Sequence, residues 1–305
     1  MLPRREPVSN MNSPNPLSLL VITADESSRA HPRDTLEQRF ARLVERLGEV
    51  VRDGLIVAFS GGVDSAFLLW AAQRAVSQTE GDVVALTTVS QSIPSRDLDD
   101  GVAFAERLGV EHVIEQSTEM GDPEYVRNDE DRCYHCKAEL FRIAEHVARK
   151  GGMRWVAYGY TASDQDDVRP GHRAALECGV LSPLAEVGLN KEDIRELMRR
   201  HGLQLADKPA SPCLSSRIMT GLAITGKQLE DVEAMETMLR GGGVEVCRVR
   251  VCDARSGFFL RIEVAAEEME KMLPLRSQLV HAAEDRGYRW VTLDLAGYRT
   301  GGGRT

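Results

Sequence analysis

The sequence predicts an α/β fold, a doubly wound parallel sheet, followed by a smaller C-terminal α+β domain. Three observations predict it. Short apolar runs alternate with helical patterns through the first half of the chain. A glycine-bearing turn separates the first run from the first helix. Past about Gly221 the order becomes helix, two strands, helix, strand. Strand–helix alternation implies a parallel sheet covered by helices on both faces. Its crossovers are right-handed, and ligands bind beyond the carboxyl ends of its strands.

In order, Leu55–Phe59 reads as a buried strand and Ala66 to Val76 as an apolar helix beyond the turn. Asp82–Thr88 is a second strand, Asp97–Leu108 a helix with apolar residues at 3–4 spacing, and His112–Glu115 a third strand. A helix around Lys137–Arg149 leads to a fourth strand, Arg154–Tyr158. In the second part, a helix from Thr225 to Arg240 is stopped by Gly241-Gly242-Gly243. Strands Val244–Cys252 and Phe258–Val264, helical Glu267–Arg286 and a last strand Trp290–Leu293 follow. The expected division is a leader over 1–34, a main domain over 35–220, a small domain over 221–300 and a tail over 301–305. The leader reading rests on its Pro, Ser and Asn content, which buries too little apolar surface to fold.

An apolar fraction of 42% and a charged fraction of 28% over 305 residues are ordinary for a soluble globular protein. A net charge of −9 argues against a strong non-specific grip on nucleic acid. The hydrophobic run Leu17 to Ile22 is too short to span a bilayer and weak as a signal-peptide core. A cytoplasmic protein with no membrane partner is therefore expected. Its six cysteines then read as thiols or metal ligands rather than a disulfide framework.

Ser60-Gly61-Gly62-Val63-Asp64-Ser65 stands where the first strand gives way to a helix. Two glycines let the backbone turn tightly and present N–H groups to an anion, and the helix N-terminus adds its positive end. Ser60 and Ser65 add hydroxyl donors, and Asp64 can hold Mg²⁺ against phosphates. The absence of a Lys after the glycines excludes a Walker A loop. A plain Gly-Gly turn with an Asp cap is the alternative. The full hexapeptide resembles the SGGxDS signature of PP-loop ATP pyrophosphatases, which split ATP between its α and β phosphates and adenylate a substrate oxygen. Thr87 and Gly159, near the ends of the second and fourth strands, are assigned to the same nucleotide.

Arg132-Cys133-Tyr134-His135-Cys136-Lys137 opens a helix and sets two cysteines one turn apart on one face. Downstream lie Lys208-Pro209-Ala210-Ser211-Pro212-Cys213-Leu214-Ser215-Ser216-Arg217-Ile218 and the closing Thr292-Leu293-Asp294-Leu295-Ala296-Gly297-Tyr298-Arg299. With Gly159 to Gly171, which holds Asp164, Asp167 and the Arg169-Pro170-Gly171 turn, these resemble the LarE family over roughly residues 38–300. That family consists of ATP-dependent sulfur transferases that build a nickel-pincer nucleotide cofactor. The resemblance implies adenylation of a carboxylate of pyridinium-3,5-biscarboxylic acid mononucleotide and its conversion to a thiocarboxylate. AMP is a good leaving group, and a thiolate or sulfide attacks the mixed anhydride readily.

Two sulfur routes follow from the resemblance. Cys213 matches the family's sulfur-bearing cysteine, which in some members gives up its own sulfur and becomes dehydroalanine. In members with the extra C-x-x-C, three cysteines hold a [4Fe–4S] cluster, and Cys133, Cys136 and Cys213 supply that set here. Thiolates are its natural ligands, and sulfide or another sulfur donor would then be a partner. Two ordinary buried thiols on a helix are the plain alternative, and zinc would want a fourth protein ligand.

The resemblance also assigns Lys137 and Arg217 as active-site cations, with Ser216, Asp164, Arg169, Arg248 and Arg250 at the substrate. Arg248 and Arg250 alternate on a strand and share one side; without the resemblance they read as a solvated strand face. Glu233 and Glu236, one helical turn apart, could touch a metal or a neighbouring subunit, but read better as a solvated face. Cys178, Cys247 and Cys252 are left structural. A homo-oligomer is implied, a hexamer being one candidate. The match has departures. Gly159-Tyr160-Thr161-Ala162-Ser163-Asp164 stands where the family has G-T-N-x-D-D, Met219-Thr220 stands where Pro-Tyr is usual, and Cys252 where His is common. Two competing readings stay open: a tRNA thiolase of the same superfamily, and a nucleotide-binding protein without turnover.

Overall fold

Leu55, Ile56 and Val57 are all fully buried, and successive side chains of an extended chain point to opposite faces. Such a strand is stable only between two apolar layers, and the computed structural model supplies both. It describes residues 34–165, 170–254 and 257–299; the leader reading over 1–34 falls outside them except for Asp34, as do Asp167, Arg169 and the tail. Helices are α1 Leu36–Val51, α2 Val63–Val76, α3 Ser95–Leu108, α4 Pro123–Val126, α5 Arg132–Gly151, α6 Pro170–Glu177, α7 Pro183–Glu186, α8 Lys191–Arg200, α9 Gly226–Gly241, α10 Met269–Met272 and α11 Arg276–Asp285. Strands are β1 Leu55–Ala58, β2 Val83–Val89, β3 Glu111–Gln116, β4 Trp155–Tyr158, β5 Cys247–Asp253, β6 Phe258–Val264 and β7 Val291–Leu293.

The first four strands form a parallel sheet in the order β3-β2-β1-β4. Leu55, Val57 and Phe59 face a core with Leu43 and Leu47 of α1, Phe67 of α2, Phe104 of α3 and Leu197 of α8. Ile56 and Ala58 face the other core, with Phe141 and Ala144 of α5 and Ala174 of α6. Each fully buried Leu or Phe contributes about 1.5–3 kcal/mol relative to exposure. The chain runs outward from β1 to β2 and β3, then crosses back to lay β4 on the other side of β1. The carboxyl end of β1 is thus the topological switch point, where ligands bind in open α/β sheets.

A separate sheet, β5-β6-β7, lies near the C-terminus, with β5 and β6 antiparallel and β6 and β7 parallel. Its core joins α9 and α11 to residues far upstream, Tyr125, Leu214 and Ile218. The helical stretch expected over Glu267–Arg286 is broken into α10, a 3₁₀ turn at Leu273–Leu275 and α11. Pro274 lies in that turn, and its ring and missing N–H disfavour an unbroken helix. The helix α1, to which the sequence reading gave no place, begins with a capping box between Thr35 and Gln38. None of the described helices is long and apolar enough to cross a membrane.

Candidate active site

The hexapeptide closes β1 and opens α2 at the switch point. Gly61 has φ +68°, a conformation that L side chains rarely adopt, and a Cβ there would stand 2.5 Å from the Asp97 carbonyl. Gly62 is the N-cap of α2 and has no side chain, so no cap hydrogen bond takes up the first-turn N–H groups. Ser65 Oγ donates to the Gly62 carbonyl at 3.1 Å and lies 3.2 Å from Ser60 Oγ, which folds the loop on itself. Gly159 is held to glycine by close approach: a Cβ would meet Ser65 N at 2.8 Å.

A cavity of about 400 Å³ opens on this loop. Residues 60–65, Thr87 and Gly159 line it, together with Cys136 and Lys137 of α5 and Lys191 and Arg195 of α8. Thr87 Oγ1 donates to the Phe59 carbonyl at 2.6 Å, so His112 Nε2, 2.8 Å away, must be the donor in return. That volume and its convergent polar groups are in the range of a small-molecule site. The segment Lys208–Pro212 forms one wall, so the cavity ends one residue short of Cys213.

Around Cys213 the construction is different. Its loop is clasped by four arginines, one from α5, one from the loop itself and two from β5. Arg217 donates to the Pro212 and Cys213 carbonyls, the second at 3.1 Å. Arg132 reaches the Ser215 carbonyl at 2.9 Å, Arg250 the Ser216 carbonyl at 3.0 Å, and Arg248 the Ala210 carbonyl at 2.7 Å. Asn128, at φ +60°, donates to the Met219 carbonyl at 3.0 Å and accepts from Arg132. Burial pushes the Cys213 thiol up, against the pull of Arg132, which favours the thiolate. Burial and then Glu119 push Cys136 well up.

Several sequence expectations change here. Arg248 and Arg250 are buried, each 8% exposed, and do not form a solvated strand face. Arg250 pairs with Glu263 at 2.6 Å, and burial lowers the Arg248 pKa. Glu236, expected on a solvated face, is 1% exposed and binds Arg217 at 2.9 Å and Arg240 at 2.7 Å. Burial raises its pKa, but the charges of Arg217, Arg248 and Arg240 outweigh that, and the carboxyl is held below its ordinary value. Glu233 accepts from Ser95 N at 2.7 Å and so caps α3. Arg217, also 1% exposed, does not line the cavity, and neither do Ser216, Arg248 or Arg250. Asp164 is buried and bonded to Thr161 and, at 2.8 Å, to Lys191, which does line it. Cys247 is pushed up to about 12, mainly by burial, which suits a structural thiol.

Cys133, Cys136 and Cys213 offer the soft thiolate donors that an iron–sulfur cluster takes. Among the described residues, however, no three His, Cys, Asp or Glu side chains are grouped to hold a metal ion. The set thus fits an iron–sulfur cluster in donor chemistry, and not in its present arrangement. Sequence reasoning gave no role to Arg132, Asn128, Glu119 or Lys208. Arg132 and Lys208 had a signal, since Arg132 precedes the C-x-x-C pair and Lys208 opens the segment that runs to Cys213; Glu119, buried and bonded to Ser90 and Ser92, had none.

No protein-family model matches the chain. An uncharacterized protein of Synechocystis is 38% identical over 268 residues, covering 87% of this chain and 97% of that protein. The pyridinium-3,5-bisthiocarboxylic acid mononucleotide synthase of Lactiplantibacillus plantarum is 31% identical over 267 residues, covering 88% of this chain and 94% of that one. The chain belongs to the LarE family. An NH₃-dependent NAD⁺ synthetase of Methanopyrus kandleri is 39% identical over 72 residues, 24% of this chain and 25% of that protein. Its likeness puts this LarE-family chain in the PP-loop superfamily, in keeping with the parallel sheet and the glycine loop.

Proposed function

We propose that this protein is an ATP-dependent sulfur transferase. It adenylates a carboxylate of pyridinium-3,5-biscarboxylic acid mononucleotide and converts it to a thiocarboxylate. The observation that carries the reading is the adjacency of two sites: a phosphate loop and a cationically clasped cysteine loop share one cavity wall, Lys208–Pro212. Family membership supports the substrate.

In the first step a substrate carboxylate oxygen attacks the α-phosphate of ATP, and pyrophosphate leaves. The α2 N–H groups and Lys137 take up phosphate charge. Asp64 offers the hard oxygen ligand that Mg²⁺ prefers, where it would neutralise the same phosphates. In the second step a sulfur nucleophile attacks the acyl carbon and AMP leaves. Arg132 favours the thiolate form of Cys213, the form that attacks. The thioester then loses the Cys213 Cα proton as its Cβ–S bond breaks, which releases the thiocarboxylate and leaves dehydroalanine. A cluster on Cys133, Cys136 and Cys213 would supply transferable sulfur instead, once those side chains had drawn together.

Asp64→Asn is expected to abolish pyrophosphate release with an unchanged circular dichroism spectrum; unchanged release would remove Asp64 from the mechanism. Intact-mass spectrometry after turnover separates the sulfur routes. The sacrificial route predicts a loss of about 34 Da, one H₂S, at Cys213, and survival of a single turnover in Cys133→Ser. The cluster route predicts an unchanged mass after many turnovers, and loss of iron in Cys133→Ser after anaerobic preparation.

A further inference from the structure

The phosphate loop and the Cys213 loop are joined through the first turn of α3. Lys208 Nζ lies 3.1 Å from the Gly61 carbonyl and 2.9 Å from both Asp97 Oδ1 and Asp100 Oδ2, with its side chain 10% exposed. Asp97, itself buried, also accepts a hydrogen bond from Ser211 Oγ, two residues before Cys213. The helix presses on the phosphate loop with little room to spare. Besides the Gly61 contact with Asp97, a Cβ at Gly101 would lie 3.4 Å from the Phe59 ring and 3.5 Å from Gly61 Cα. From α8, Arg195 donates to the carbonyl of Lys208 at 2.8 Å, which fixes the start of the segment.

A lysine beside a phosphate loop that lacks one invites the role of the missing cation. Charge argues against it. Two carboxylates within ion-pair distance more than offset one ammonium, so the Lys208–Asp97–Asp100 group brings no net positive charge to an anion. Its geometry is what distinguishes it: one side chain holds a phosphate-loop carbonyl and, through Asp97, the approach to Cys213. Resting on the function proposed above, we propose that Lys208, clamped between Asp97 and Asp100, is a positioning residue that couples the phosphate loop to the sulfur loop. Nucleotide bound at Gly61 is then felt at Ser211 and Cys213. Removing the clamp leaves both sites present but out of register, and misplacement by about 1 Å costs on the order of 100-fold in rate.

Two measurements on the full chain test this. Hydrogen exchange over residues 209–217 is expected to change when ATP and Mg²⁺ are added to the wild type, and to stay unchanged in Lys208→Gln. A wild type whose segment does not respond overturns the coupling. In single turnover, Lys208→Gln and Asp97→Asn should form thiocarboxylate on the order of 100-fold more slowly, a loss well beyond any in their pyrophosphate release. Lys208→Arg should recover most of that loss. Equal loss in both steps, a change confined to the KM for ATP, or no loss in either overturns the proposal. A wild type that forms neither product from the carboxylate nucleotide sinks the function above, and the exchange measurement still decides the coupling.

Discussion

The phosphate loop and the Cys213 loop share a cavity wall, yet they are built in opposite ways. The first is made of backbone: six consecutive residues, two glycines and a helix N-terminus hold the position where phosphates would sit. The second is made of side chains, Arg217 from the loop itself and the others from afar. Arg132, Arg217, Arg248 and Arg250 hold its carbonyls, and Glu236 and Glu263 hold Arg217 and Arg250 in turn. A backbone site is fixed by local conformation and fails through strain. A side-chain site depends on buried charge and fails when one partner of a pair is removed.

That contrast ranks the expected effects. Arg217→Met should be the most damaging, because it takes a principal partner from the 1%-exposed Glu236 carboxylate. A loss of about 3–5 kcal/mol is expected from urea unfolding. A midpoint close to wild type would mean that Arg240 and the Val249 N–H satisfy Glu236 by themselves. Gly61→Ala should cost less, about 1–3 kcal/mol, from the φ +68° backbone and the contact with the Asp97 carbonyl. Its loss of ATP affinity should exceed its loss of stability. The reverse order would show that the loop is braced by α3 more than by its own conformation.

The smallest effect is a pH dependence. The arginines hold the Glu236 carboxyl below its ordinary value, so its folded pKa lies under its unfolded one. The stability it confers is therefore present above the unfolded pKa, near 4.3, and is lost as pH falls through the folded value. Glu236→Gln should be less stable at neutral pH and flatter between pH about 5 and 3. Parallel wild-type and variant curves in acid would place the titrating charge elsewhere.

The legibility of the two loops differs for the same reason. Ser60 to Ser65 could be read because a strand end, two glycines and a helix start are neighbours in sequence, as they are in space. Arg248 and Arg250 were placed on one side of a strand by period-two alternation, but their burial was not readable. What covers that side is the 210–217 loop, some forty residues away. Glu236 was misread as solvated because its helix carries polar residues on several sides, and a buried ion pair shows no apolar stripe.

By itself, the sequence determined the alternation that makes a parallel sheet, the glycine turn at its switch point and the motifs that resemble the LarE family. These are local properties, set by side-chain period, by φ and by spacing along one helix. Tertiary structure decided which charges are buried, that four arginines serve the Cys213 loop, that Lys208 reaches the phosphate loop from 147 residues away, and that β4 returns beside β1. Burial and ion pairing are sums over neighbours, and those neighbours come together only once the chain has folded.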